Sequence, residues 1–212
     1  MRTQSLTYCR HATAHWDRSH QSCRLCLHSS HALNALVTAL VHSRLDYCNV
    51  VVAGLPACDI QRLQSVLNTA VCLVAGSSRC DHAFSLLRDR HWLPFKQRIE
   101  YKLCMMVHRC LYGDAPSYLL DLITSSADAT VRGGLRSAAS STVAVPRAMS
   151  SLGDRSFAAA GPCAWNRLPP PLRRVHSAAA FKRQLKTFLF DCVFNWHYIV
   201  RRPCCALALT SP

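Results

Sequence analysis

The chain has 212 residues, half of them hydrophobic, and its 25 Lys and Arg against 11 Asp and Glu give a formal net charge of +14. A membrane span is not expected, because the best candidate, residues 33–55, is interrupted by His42, Arg44 and Asp46. A charge of this size favours polyanionic partners, since Lys and Arg bind nucleic acids mainly by neutralising phosphates and releasing counterions. The charge alone is equally consistent with a basic protein that binds no polyanion.

Cysteine usage points to a reducing compartment. The 13 cysteines are odd in number and scattered through apolar helical patterns, which is typical of reduced thiols and not of a secreted disulfide framework. The N-terminal residues carry no continuous apolar segment of the kind that a secretory signal needs. We therefore expect an intracellular protein, nuclear or cytoplasmic, that is not secreted.

One cluster combines metal-ligating side chains, with Cys23, Cys26, His28 and His31 within nine residues. Four ligands this close in sequence cannot readily surround a tetrahedral zinc ion, whose second ligand pair normally comes from a distant segment. Glycine-rich loops for phosphates or dinucleotides are also absent from the sequence. We expect no metal site and no cofactor.

Two helices are predicted in the first part of the chain. Apolar residues recur at helical spacing over residues 33–52, and Gly54 follows the end of the pattern. A second helix is predicted over residues 60–74, with Asp59 as its N-cap and Gly76 beyond its end. We expect the two helices to pair as a hairpin.

A longer helix is predicted to begin at Pro94, a residue that suits the first helical position, and to reach Tyr112. Asp81 is the predicted cap of a short helix that precedes it. The core face of the long helix, about 80° wide, contains Phe95, Ile99, Leu103, Met106 and Cys110. Its flank carries three cations within about 40° of each other, Arg98, Lys102 and Arg109.

The cationic flank is bordered by Tyr101, Met105 and Tyr112. Cations beside aromatic rings suit a phosphate backbone with bases or sugars packed alongside. Periodicity alone slightly favours the ordinary alternative, which is a solvated basic face on an amphipathic helix.

Beyond the long helix the composition changes. Residues 124–141 are rich in Ser, Ala and Gly, which predicts a linker or mobile loop. Residues 142–146 and residues 156–160 are predicted as short strands of a two-stranded element. Residues 162–168 are predicted to form one helical turn anchored by Trp165.

The sequence that follows residue 168 predicts a final helix. Pro169, Pro170 and Pro171 are expected to enforce an extended segment, and Ser177 is the predicted N-cap of the helix that follows. The apolar face of that helix contains Phe181, Leu185, Phe188 and Leu189, and its polar face contains Lys182, Arg183 and Lys186. Nucleic-acid binding and simple solvation account equally well for these three cations.

Taken together, the patterns predict a mainly α fold, a helical bundle followed by an irregular α+β tail. No catalytic residues are expected, because two-metal polymerases need converging carboxylates and the chain has no Asp-Asp pair and a single glutamate, Glu100. Asp46 has no second acid beside it in sequence, so we predict a role in a salt bridge or turn. The chain is not expected to be an enzyme.

Three segments occur in a fixed order: SRLDYCN at residues 43–49, HWLPFKQRIEYK at residues 91–102 and AAFKRQLKTFLF at residues 179–190. They resemble the region downstream of the polymerase core in the reverse transcriptases of non-LTR, LINE-type retrotransposons, in the jockey and chicken-repeat branch. Residues 54–76, 108–123 and 145–173 also resemble that region in the same order. The resemblance runs from residue 27 to residue 194.

The resemblance implies a helical, thumb-like region at residues 27–123 and a tail with a closing helix at residues 142–194, joined by the linker at residues 124–141. Residues 1–26, expected to be disordered, and residues 195–212 match nothing in it. It also implies an RNA-directed DNA polymerase whose catalytic acids lie upstream, and a thumb whose cations contact template and primer.

We therefore expect a non-catalytic fragment of a reverse transcriptase that binds RNA or DNA weakly and non-specifically. The residues expected to bind are Arg98, Lys102 and Arg109, followed by Lys182, Arg183 and Lys186. Two alternatives remain open. One is a transposon relic with no selected function, which the unmatched ends favour, and the other is a helical module that docks on a polymerase core or another protein. No membrane partner is expected.

Overall fold

The computed structural model describes residues 30–77, 82–112, 115–123, 142–147, 150 and 153–195. This part of the chain is mainly helical, as predicted, and contains no strand, although Val143 has isolated bridge geometry. The predicted linker, the cap at Asp81, the unmatched ends outside residues 30–195 and the side chains of the Cys23 to His31 cluster lie outside the described residues. The α-helices are α1 (Ser30–Val37), α2 (Ser43–Asp46), α3 (Ala57–Ala75), α4 (Ala83–Asp89), α5 (Phe95–Leu111), α6 (Ser117–Leu120), α7 (Phe157–Asn166), α8 (Pro170–Arg173) and α9 (Ala178–Phe194).

The first predicted helix is divided into three parts. A π-helical turn, Thr38–His42, joins α1 to α2, and the backbone then turns through Cys48, whose φ of 52° is left-handed, into a 3-10 helix, Asn49–Val52. The prediction of one helix through residue 52 is therefore wrong beyond Asp46. Consecutive β-branched valines explain part of this break, since they lose side-chain freedom in an α-helix.

Helix α3 begins earlier than predicted, directly after Pro56. Asp59 lies in its first turn and pairs with Arg62 at 3.3 Å, so the prediction of Asp59 as N-cap is wrong. Gly76 ends the helix as predicted, with a left-handed φ of 68° and its N–H directed at the Leu73 carbonyl. Contacts of α3 with α1 and with the π-helical turn confirm the expected pairing of the two helices.

Helix α5 lies at the centre of the fold, in contact with α3, α7, α9 and the 3-10 helix. Pro94 precedes its first residue and Tyr112 caps its end, within one residue of the prediction. Its buried side is wider than one stripe and contains Phe95, Ile99, Leu103, Cys104, Val107, His108 and Cys110. Met106, assigned to the core face from the sequence, is only half-buried. The extra width arises because helices pack on α5 from several directions.

The predicted strand at residues 156–160 is wrong, because Ser156 precedes α7 and the following residues are helical. Three successive alanines, Ala158 to Ala160, give this segment a high helix propensity. Trp165 is fully buried and serves as the predicted anchor. The expected α+β tail is therefore not confirmed: its described helices are α7, α8 and α9, and residues 142–147 have no regular structure apart from the isolated bridge at Val143.

The proline run does not form an extended segment. Pro169 precedes α8 and Pro170 and Pro171 are its first residues, because the fixed φ of proline suits the first helical turn. Ser177 caps α9 as predicted, since its Oγ accepts a hydrogen bond from the Ala180 N–H at 3.5 Å.

Two ring contacts show the direction of α9 relative to α5. Phe181, near the start of α9, stacks on His108 near the end of α5, with ring centroids 4.2 Å apart. Phe190, further along α9, lies 5.2 Å from His91, which precedes α5. The two helices therefore run antiparallel, and helices from both predicted regions share one hydrophobic core.

Candidate nucleic-acid interface

Two of the three cations predicted on the flank of α5 are exposed. Lys102 and Arg109 lie two turns apart on the narrow solvent-facing side of the helix, and Met105, half-buried, lies between them. Neither cation forms an ion pair within the described residues. Their charges are therefore available to a ligand in solution.

The third cation, Arg98, pairs with Asp46 of α2. The guanidinium Nε donates to Oδ1 at 2.8 Å and Nη2 donates to Oδ2, and the Arg98 side chain is only 14% exposed. This pair bears out the prediction of a salt bridge for Asp46. It also separates Arg98 from its neighbours on α5, because a guanidinium whose Nε and Nη2 both donate to one carboxylate has fewer donors left for a phosphate.

The aromatic residues beside the cations are partly engaged elsewhere. The Tyr112 hydroxyl donates to the Arg173 carbonyl at 3.0 Å, and its ring lies 4.6 Å from His108 and 4.7 Å from His176. Burial raises the pKa of Tyr112 and of Tyr101. Tyr112 thus joins α5 to the segment before α9, and it is not an open platform for base stacking.

Three further cations, Lys182, Arg183 and Lys186, lie exposed on the outer side of α9, as the sequence predicts. None of them forms an ion pair within the part of the chain that the structure describes. Arg183 also lines an open groove of about 550 Å³ between α8 and α9, together with Phe188 and Asp191.

Lys182 of α9 and Arg109 of α5 belong to the same end of the helix pair, because they follow Phe181 and His108, whose rings stack on each other. We call this end the junction. The antiparallel arrangement places the remaining cations of each helix further from the junction.

Arg173, near this junction, was not identified from the sequence. Arg173 is only 5% exposed, and within the described residues its Nε and Nη1 have no hydrogen-bond partner. Burial, and then the neighbouring Arg174, lower the pKa of Arg173. The only sequence signal was the arginine pair after the prolines, which periodicity does not distinguish from surface charge.

His108 is a second residue that the sequence did not identify. It is buried, and its Nε2 lies 2.8 Å from the Val175 carbonyl oxygen, so this nitrogen carries the proton and donates. The hydrogen bond and the stacking on Phe181 hold the segment between α8 and α9 against the end of α5. His108 thus holds the backbone near Arg173 from the side of the core.

Two titratable side chains of α5, Glu100 and Cys104, favour their neutral forms. Burial raises the pKa of Glu100, against the opposing effects of Lys96 and Arg167, and burial also raises the pKa of the Cys104 thiol. Among the described residues, no three His, Cys, Asp or Glu side chains are arranged to hold a metal ion. No described helix is long and apolar enough to cross a membrane.

Comparison of the chain with protein-family models, with curated proteins and with solved structures finds no match. The resemblance to LINE-type reverse transcriptases therefore stays a prediction from the sequence.

Proposed function

We propose that the chain is a non-catalytic, helical part of a LINE-type retrotransposon reverse transcriptase, located inside the cell, that binds RNA or single-stranded DNA weakly and without sequence preference. Phosphates are contacted by Lys102 and Arg109 of α5 and by the cations of α9. The observation that carries the proposal is the set of exposed cations on two packed, antiparallel helices, none of which forms an ion pair within the described residues.

The experiment measures the affinity for a fluorescent single-stranded RNA over a range of salt concentrations. Binding through phosphates gives a linear fall of log affinity with log salt, with a slope of about −0.7 for each phosphate contacted. Replacing both Lys102 and Arg109 with Ala is expected to reduce the steepness of the slope by about 1.4 and the affinity by about tenfold at physiological salt. The triple replacement of Lys182, Arg183 and Lys186 is expected to have a larger effect.

A matched control removes the same charge elsewhere. Arg62 and Arg88 are exposed and paired with Asp59 and Asp89, so the double replacement with Ala changes the net charge as much as the α5 variant does. We expect this control to keep the slope of the wild-type protein. A flat salt dependence, or equal losses in the control and the α5 variant, would contradict the proposal.

A second candidate function is docking on the polymerase core of the same enzyme. It is favoured by exposed apolar side chains in the first helical segments, where Leu36 and Leu40 lie one turn apart and Tyr47 and Val51 follow. Exposed apolar side chains of this kind are expected to be covered by a partner surface in a larger assembly. Light scattering of the isolated chain should then show self-association with rising concentration, which Leu36→Lys with Leu40→Lys abolishes. A monomer at every concentration would argue against this function.

A further inference from the structure

Arg173 is a buried cation with unused hydrogen-bond donors. The residue is 5% exposed, and neither Nε nor Nη1 has a hydrogen-bond partner in the part of the chain that the structure describes. A guanidinium stays charged in proteins, and a buried charge without a partner is strongly unfavourable. The arrangement is therefore incomplete unless an acceptor approaches these nitrogens.

The backbone around Arg173 is fixed, so the side chain is presented from a defined position. The Tyr112 hydroxyl donates to the Arg173 carbonyl at 3.0 Å, and His108 Nε2 donates to the Val175 carbonyl at 2.8 Å. Both donors belong to the last turn and the C-cap of α5. The segment is thus held at Arg173 and two residues beyond it by contacts that do not involve the guanidinium.

The neighbouring charge that acts on Arg173 is positive. It belongs to Arg174, and no ion pair of the described residues includes Arg173. The unused N–H donors of Arg173 therefore suit an anion with several acceptor oxygens.

Arg173 lies at the edge of the core, because Arg174, His176 and Ser177, which are close to it in sequence, are exposed. Its Nε and Nη1 are themselves buried, so an anion from solvent reaches them when the Arg173 side chain turns outward. The end of the helix pair that carries Arg109 and Lys182 is adjacent, because the Tyr112 hydroxyl donates to the Arg173 carbonyl.

We propose that Arg173 binds a phosphate-type oxyanion through its unpartnered nitrogens, and that the oxyanion is a backbone phosphate of the bound nucleic acid. The oxyanion site follows from the geometry at Arg173, whereas its assignment to a backbone phosphate rests on the proposed function. Arginine suits this task because its guanidinium offers several donors at fixed angles to the oxygens of one phosphate.

The test uses the full chain and inorganic phosphate as the probe. Thermal unfolding is followed in phosphate and in chloride at equal ionic strength, and at about ten times the dissociation constant we expect phosphate to raise the Tm by about 3–6 °C. Arg173→Met is expected to lose this shift. In chloride its Tm should equal or exceed that of the wild-type protein, because the replaced charge had no partner. The matched control, Arg174→Met, changes an exposed neighbour of equal charge and should retain the shift.

Four results separate the parts of the inference. If phosphate does not raise the Tm of the wild-type protein, the oxyanion site is overturned. Destabilisation of Arg173→Met in both buffers would also overturn it, because a partner within the chain would then already satisfy Arg173. A lost phosphate shift together with weaker RNA binding by Arg173→Met supports the whole inference. A lost phosphate shift with unchanged RNA affinity supports the oxyanion site and overturns its assignment to a backbone phosphate. The variants of Lys102 and Arg109 test the proposed function independently.

Discussion

Replacing Asp46 with Asn is predicted to destabilise the fold without weakening nucleic-acid binding. Exposed ion pairs contribute about 0–1 kcal/mol, and removing one partner of a fully buried pair costs about 3–5 kcal/mol. The pair with Arg98 lies between these limits, since the Arg98 side chain is 14% exposed and that of Asp46 is 40% exposed and screened by solvent. We expect Asp46→Asn to lower the free energy of unfolding by about 1–2 kcal/mol, which corresponds to a fall in Tm of about 2–8 °C.

The assay combines thermal unfolding with RNA binding. Asp46→Asn, Arg98→Gln and the double variant form a thermodynamic cycle, from which we expect a coupling energy of about 1 kcal/mol. Asp59→Asn is the matched control, because its pair with Arg62 joins side chains that are 38% and 56% exposed, and its effect should stay within about 0.5 kcal/mol. RNA affinity of both Asp46→Asn and Arg98→Gln should remain near that of the wild-type protein. The reasoning is refuted if Arg98→Gln leaves the Tm unchanged and weakens RNA binding as much as Lys102→Ala does.

Three other predictions concern the core. Burial lowers the pKa of His42 from 6.5 to about 4, so the unfolded chain binds more protons between these values. Stability is therefore fully present above the ordinary pKa and decreases as the pH falls through this window, a dependence that His42→Phe should remove in urea titrations at a series of pH values. A side chain at Gly161 would meet the Val107 Cγ2 at 3.0 Å from its Cβ alone, so Gly161→Val should cost about 1–3 kcal/mol in urea unfolding, and an unchanged midpoint would show that α5 and α7 are not closely packed. His108→Leu leaves the Val175 carbonyl without its donor and should cost about 1–3 kcal/mol by the same measurement, whereas a neutral effect would mean that the hydrogen bond is dispensable.

Local patterns were sufficient for much of the fold. The span of α5, the glycine that ends α3 and the serine that begins α9 follow from residues that are neighbours in sequence, because caps and helical periodicity act within one or two turns. The exposure of Lys102 and Arg109, and of the cations of α9, follows from the same periodicity. The strand predicted at residues 156–160 was wrong because a short, weakly alternating segment does not distinguish a strand from a helix that packs on a neighbour.

The sequence by itself determined that this chain is basic, mainly helical and without the paired acids of a polymerase centre, since these properties depend on composition and on local spacing. Only the tertiary structure decided what individual cations do. Arg98 meets Asp46 across 52 positions of sequence, and Arg173 is buried beside α5 without an acceptor for two of its nitrogens. Contacts between residues so far apart depend on how whole helices pack, and the spacing of charges along one helix does not encode them.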